Sequence, residues 1–275
     1  MNIYSYAKVN MVLEILGKLN NQCHELTGIY QNIDMKDLIT IEAANEDSVL
    51  VENIDIPQSK NLVYQVLNKF KKRYKIKESF EIIIKKNIPL SSGLGGGSSN
   101  AVAVIGGLQN ILDLKIKKVE IAEFLSNFGS DLPFFTYGGT CLVEGAGEKI
   151  IKLNDTKNRF VYVYNPEIRI QNKTKIMFQE LRSNNYSDGS YTNAARKIIQ
   201  NNDHLRNSNF FNSFEKIALQ KFNQLKIVQD EMKDLFGNSF LSGAGMTLIS
   251  VSEKSIDNKK FNKYSTVNKG FDFDI

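Results

Sequence analysis

The chain has 275 residues, 42% of them hydrophobic and 24% charged, with Lys+Arg exceeding Asp+Glu by five. This is a globular composition with room for one large domain or two ordinary ones, at roughly 100–200 residues each. Two cysteines and two histidines are too few for a disulfide framework or a zinc centre, and the Lys-Lys pairs lack the interleaved aromatics of a single-strand binder. No apolar run approaches the ~18 residues of a membrane span, and the first residues lack a signal-peptide pattern, so the expectation is a cytoplasmic protein with neither membrane nor nucleic acid as partner.

Residues 3–17 alternate as a strand, with Val9, Met11, Leu13 and Ile15 expected on one face and Lys8 and Asn10 on the other. Asn20, Asn21 and Gln22 read as a polar turn before Cys23 and His24, and His24 taken alone reads as a surface histidine. Residues 26–43 read as two strand segments with a turn at Asp34 to Asp37. Asn61 is expected to cap a helix whose stripe Leu62, Val63, Val66, Leu67, Phe70 and Tyr74 is core. Phe80, Ile82 and Ile84 alternate as a strand that Pro89 closes. A glycine-rich stretch follows, and then Ala101, Val104, Ile105, Leu108 and Leu112 mark another helix. Ile121, Leu125 and Phe128 define a short helix ended by Gly129, and Pro133 suits the first turn of the next, with Ser130 or Asp131 as its cap. A strand is expected from Gly138 to Val143, followed by a small-residue segment at 144–148 that reads as a hairpin turn or part of a pocket. The chain turns polar at 152–158, where a domain boundary is plausible. Beyond it lie a strand at 160–164, a helix at 173–181, a loop at 183–192, a helix from Phe214 to Leu225, and a third Gly/Ser turn between strand pieces within 240–251.

The stretch from Pro89 to Asn100 carries the chemistry. Gly93, Gly95, Gly96 and Gly97 stand among Ser91, Ser92, Ser98 and Ser99, between a strand and a helix. Glycine loses the most backbone freedom on ordering, so such a loop implies backbone N–H groups that must approach something closely. A phosphate at a helix N-terminus is the leading candidate. Walker A is excluded because no Gly-Lys-Ser/Thr ends the loop, and the dinucleotide fingerprint because Ser98 stands in place of its third glycine. The protein-kinase motifs are absent too.

Pro89 to Asn100 resembles the phosphate loop of the GHMP kinases, a family of small-molecule kinases. Four further segments resemble one branch of that family in order and approximate spacing over nearly the whole chain: Ala7 to Asn10, His24 to Leu26, Gly129 to Phe135, and Leu241 to Gly245. The resemblance implies an α+β, two-domain GHMP kinase fold with the active site in the interdomain cleft. Residues 1–153 would form the ATP-binding domain and 154–275 the substrate-side domain. It implies ATP and Mg2+ as cofactors and a cytidyl-diphosphate-linked polyol as acceptor, and leaves the oligomeric state open. Asp131 corresponds to the catalytic aspartate and Lys8 to the lysine that assists it. Pro89, Leu90, Ser91, Ser92, Gly93, Leu94, Gly95, Gly96, Gly97, Ser98 and Ser99 would bind ATP, with Ser98 or Ser99 near the metal. Asn10, His24, Phe178, Ser242, Gly243, Ala244 and Gly245 would serve the acceptor, His24 at the cytosine edge and Phe178 stacked on the base. Phosphoryl transfer to an alcohol needs an acceptor for the hydroxyl proton and positive charge near the developing alkoxide, which is what an aspartate and a lysine offer. Cys23 stands where the resembling branch carries a second stacking tyrosine. The other expectations are a kinase for a different small alcohol, of homoserine or mevalonate type, and a non-catalytic nucleotide-binding module.

Overall fold

The computed structural model describes residues 1–19, 23–156, 159–166 and 173–274, so the turn expected at Asn20 to Gln22 lies outside the described residues. Two long antiparallel strands, β1 (Asn2–Lys18) and β2 (His24–Ala44), form its spine. The chain continues through β3 (Ser48–Val51), α1 (Leu62–Tyr74), β4 (Ser79–Lys85), α2 (Gly96–Ile111), α3 (Lys118–Ser126), α4 (Leu132–Tyr137), β5 (Thr140–Gly145) and β6 (Lys149–Lys152). It then runs through β7 (Phe160–Tyr164), α5 (Lys173–Glu180), α6 (Ser190–Gln200), β8 (Phe211–Asn212), α7 (Glu215–Lys221), α8 (Asn223–Phe236), β9 (Phe240–Ser242), β10 (Thr247–Ser252), β11 (Asn262–Val267) and β12 (Phe271–Phe273). The fold is α+β.

One edge of β2 is shared in succession by β5 along residues 26–31, β11 at 32–33 and β4 along 38–44. The outer edge of β1 carries β12 at residues 3–5 and β8 at residues 12–13. β11 then leads through β7 to β10 and β9. One apolar layer joins β1 and β2 to α1 and α2, with Val66, Leu67, Phe70, Ala101, Val104, Ile105 and Leu108 buried together. Ala195 and Ile199 of α6 close a second layer with Val9, Met11, Ile29 and Ile33.

Several expected elements stand as read. Asn61 Oδ1 accepts from Val63 N at 3.0 Å and caps α1, β4 alternates with Phe80, Ile82 and Ile84 buried, and β9 and β10 form an antiparallel hairpin. Other expectations fail for physical reasons. A register shift between Asn10 and Val12 inserts one residue, and a bulge of that kind reverses which face later side chains meet. Val9, Met11 and Val12 therefore lie in the α6 layer, while Leu13 and Ile15 lie with α1 and α2, so the four residues expected on one face are split.

No turn forms at Asp34 to Asp37. β2 runs through it, and a second register shift beside Tyr6 and Ala7 absorbs the two extra residues. Asp37 is fully buried because Lys86 pairs with it and the backbone N–H groups of Asn87 and Ile88 donate to its Oδ1 at 2.7 and 2.8 Å. α3 stops at Ser126 with Asn127 as C-cap, two residues before Gly129. The segment 144–148 is the β5–β6 hairpin turn, with Gly147 N donating to Glu144 O at 3.2 Å. α6 starts inside the expected loop at 183–192, and the single helix expected from Phe214 to Leu225 is broken at Phe222 into α7 and the longer α8.

Candidate active site

The glycine-rich loop is held from below. Lys86, at the exit of β4, donates to Asn100 Oδ1 on α2 at 3.1 Å, and Asn100 Nδ2 donates to Asp37 Oδ2 at 2.8 Å and Ser5 Oγ at 2.7 Å. This buried network fixes where the loop leaves the sheet and where α2 begins. α2 starts at Gly96, inside the glycine run and earlier than its apolar pattern indicates, after Gly95 in the left-handed region at φ 75°. No side chain caps it, so its first backbone N–H groups stay available.

The glycines differ in what surrounds them. A Cβ at Gly95 would press on the Phe135 ring and the Lys8 stem, and one at Gly96 on Ile88 and Lys86, whereas Gly97 faces open space. Gly97 is thus the side from which a ligand can approach. Ser92 shapes the turn, its Oγ donating to Pro89 O at 2.8 Å and accepting from Leu94 N at 3.2 Å. Ser99 Oγ donates to Tyr6 O at 2.7 Å and is buried, while the neighbouring Ser98 is only half-buried. Of the two serines, Ser98 is the one facing the open side.

Between β12 and β8 the outer edge of β1 has no strand partner among the described residues, and other groups take its N–H donors. Tyr6 N donates to Gly270 O at 3.0 Å, Lys8 N to Leu94 O of the loop at 2.9 Å, and Asn10 N to Ser242 Oγ at 3.1 Å. The strand thereby gathers the two glycine loops around Lys8 and Asn10. The loops also touch each other: a Cβ at Gly245 would collide with Ser92 O, and one at Gly243 would stand 3.1 Å from Gly93 O.

Lys8 is 3% exposed. Its Nζ donates to Asn10 Oδ1 at 2.8 Å, lies 3.4 Å from Asp131 Oδ2 and sits 5.0 Å from the Tyr30 ring centroid. Asp131 occupies the N-cap position of α4, yet its side chain makes no capping bond, so the local capping role is not the one it plays. It is 30% exposed and pairs with Lys8 instead. Tyr30 faces Asn10 across the β1–β2 pairing and is buried, and its phenol is held protonated well beyond the usual range by burial first and the Asp131 charge second. Tyr30 belongs to the site although its sequence context reads only as strand. Among the described residues the buried Nδ2 of Asn10 has no hydrogen-bond partner, an unusual cost that a ligand group would relieve.

His24 lies at the far end of β2. Its ring stands 5.0 Å from Phe178 of α5 and 6.3 Å from Tyr186, and its buried Nε2 has no hydrogen-bond partner among the described residues. Burial, then the Lys18 charge, lowers its pKa from 6.5, so the imidazole is neutral at physiological pH. Cys23 beside it is exposed. The expected site residues therefore fall into two groups along one strand: Lys8, Asn10, Asp131 and both loops at one end, His24 with Phe178 at the other. Among the described residues no cluster of three or more His, Cys, Asp or Glu is placed to hold a metal, and no helix is long and apolar enough to cross a membrane.

The family model described as GHMP kinases N terminal domain matches residues 61–139. A 4-diphosphocytidyl-2-C-methyl-D-erythritol kinase of Caldicellulosiruptor saccharolyticus is 32% identical over 94% of this chain and 90% of its own length. One of Clostridium tetani is 34% identical over 90% of this chain and 89% of its own length. The crystal structure of a 4-(cytidine 5'-diphospho)-2C-methyl-D-erythritol kinase superposes with a TM-score of 0.77 at 24% identity, covering 92% of this chain and 90% of that one. The homoserine kinase of Cytophaga hutchinsonii follows the same fold, with a TM-score of 0.68 at 15% identity over 99% and 96% of the two chains. A glycine loop opening α2, stitched to β1 and to a second glycine loop, defines a kinase for small molecules, and the chain belongs to the GHMP kinase family. Within that family, the two relatives that it matches over nearly their whole length carry the 4-diphosphocytidyl-2-C-methyl-D-erythritol kinase name.

Proposed function

We propose that this kinase transfers the γ-phosphoryl group of ATP to the 2-hydroxyl of 4-diphosphocytidyl-2-C-methyl-D-erythritol, a step in non-mevalonate isoprenoid precursor synthesis, in the cytoplasm. The observation that carries the reading is the Lys8–Asp131 pair, 3.4 Å apart, against the uncapped start of α2. Asp131 accepts the proton of the acceptor hydroxyl as its oxygen attacks phosphorus. The Lys8 ammonium, held by Asn10 and the Tyr30 ring, stabilises the charge that develops on the oxygens between donor and acceptor. The α2 backbone N–H groups and the loop from Pro89 to Ser99 hold the phosphates, which approach over Gly97. Mg2+ would neutralise phosphate charge, and Ser98, on the open side of the loop, is the residue that would stand near it beside the phosphates.

Length along β2 separates the cytidyl acceptor from smaller alcohols. His24 and Tyr30 are six residues apart on one strand, about 20 Å at ~3.3 Å per residue. That span suits a molecule with a nucleobase at one end and a polyol at the other, whereas homoserine or mevalonate would leave His24 and Phe178 unused. The neutral His24, with an unpartnered Nε2, can serve a cytosine edge, and Phe178 its face. Ser242 to Gly245 line the acceptor side. We place the ATP-binding domain at 1–153 and the substrate-side domain at 154–275.

An acceptor panel with ATP and Mg2+ tests this. ADP should appear with the cytidyl substrate and not with homoserine or mevalonate. Turnover of a small alcohol alone would transfer the assignment to that reading, and nucleotide binding with no turnover of any acceptor would leave a binding module.

A further inference from the structure

Thr247 opens β10, is fully buried, and is used by none of the roles above. Its Oγ1 lies 2.7 Å from the carbonyl oxygen of Ser92 in the phosphate loop and 2.8 Å from the side-chain oxygen of Asn165, which follows β7. A hydroxyl carries one proton and cannot donate to both. The set is satisfied as a relay, with the Asn165 carboxamide turned to offer N–H to Thr247 and Thr247 donating to Ser92 O. The register sustains it, since Leu248 pairs with Tyr164, so that Thr247 and Asn165 are neighbours across the β7–β10 ladder.

The Ser92 carbonyl is a sensitive place to hold. Ser91 and Gly93 on either side both have left-handed φ, at 55° and 89°, so no regular ladder fixes the peptide between Ser92 and Gly93. Its orientation decides where the following N–H groups point, and in this orientation its oxygen already lies against Gly245, where an added Cβ would stand 2.3 Å from it. We propose that Thr247 is a positioning residue for the nucleotide: its hydroxyl, oriented by Asn165, pins the Ser92–Gly93 peptide so that the loop amides converge on phosphate. This rests on the ATP-loop reading above and assigns Thr247 no contact with either substrate.

Thr247→Val keeps the side-chain shape and removes the hydroxyl. The Kd for Mg·ADP and the KM for ATP should rise about tenfold, the scale of one buried hydrogen bond lost, with the acceptor KM within about twofold of wild type. Thr247→Ser should restore nucleotide affinity. Asn165→Leu, at the half-buried end of the relay, should weaken Mg·ADP about threefold and decides the matter if Thr247→Val does not fold. Unchanged Mg·ADP affinity in the folded variants overturns the proposal, and so does an equal rise in both KM values, which marks general loosening. A wild-type protein that fails to bind Mg·ADP would instead overturn the ATP-loop reading.

Discussion

At the transfer end of the site, Lys8 is buried against Asn10, Asp131 and Tyr30, and the surrounding backbone is cross-linked between residues far apart in sequence. At the recognition end, His24 meets Phe178 and Tyr186 through ring contacts, with no hydrogen bond at its buried Nε2. At the first end glycine backbones pack on one another, so close that a Cβ at Gly245 would collide with Ser92 O. The second relies on aromatic surface, which tolerates changes of partner. On the proposed function, Lys8 and Asp131 carry the reaction and His24 and Phe178 the choice of substrate, and mutations should divide accordingly.

Four experiments break or sharpen that division. Asp131→Asn, at the transfer end, should lower kcat by about 10²–10⁴-fold while leaving Mg·ADP affinity within a few-fold of wild type; isothermal titration beside steady-state rates checks both, and an unchanged kcat removes Asp131 from the mechanism. Gly245→Ala forces a Cβ into Ser92 O. It should raise the ATP KM by about tenfold and lower Tm by several degrees, on the scale of ~1–3 kcal/mol for a disrupted core contact, and a variant with wild-type KM would mean that the two loops do not share a shape.

Phe178→Ala belongs to the recognition end. Loss of a base stack, ~1–3 kcal/mol in single-strand systems, corresponds to roughly 5–150-fold in acceptor KM with Mg·ADP affinity intact; a rise in the ATP KM instead would erase the separation. The smallest effect is the pH response of His24. Its pKa is lowered from 6.5, so the neutral ring persists through neutral pH and protonation begins only in acid. Acceptor KM should be flat at about pH 7–8 and rise only as pH falls below the ordinary histidine value of 6.5, and His24→Gln should flatten that rise. Stability follows the same sign, because the unfolded chain binds this proton at a higher pH than the folded one, so the stability present above 6.5 declines as pH falls through the histidine range.

The sequence revealed the glycine loop and its helix because their signal is local: a strand, a run of small residues and an apolar stripe all within residues 79–111. It also placed Phe178 on a helix and a Gly/Ser turn between the strand pieces that become β9 and β10. Asp37 was misread because two acidic residues and a lysine within four positions resemble a turn, and the partner that makes burial tolerable, Lys86, is 49 residues away. The β1 bulge was invisible because a strict two-residue alternation and one inserted residue read alike until the partner strand is known. Tyr30 was missed since an aromatic in an apolar strand looks like core, and only its pairing opposite Asn10 distinguishes it. α6 and α8 carry many polar residues on short apolar stripes, which blurred them into loop or into a neighbouring helix.

The pairing of Ile3 with Phe273 sets the order of assembly. The two partners lie 270 residues apart in the chain, so residues 3–5 present a bare strand edge until β12 has been made. The Phe271 ring of β12 also fills the hollow that Gly106 leaves on α2. A nascent chain can therefore build the spine and the phosphate loop early, but it seals the face of α2 only when the region around residue 271 emerges. Such long-range closure slows folding, and it makes the exposed β1 edge the place where an arrested or truncated chain would be expected to aggregate.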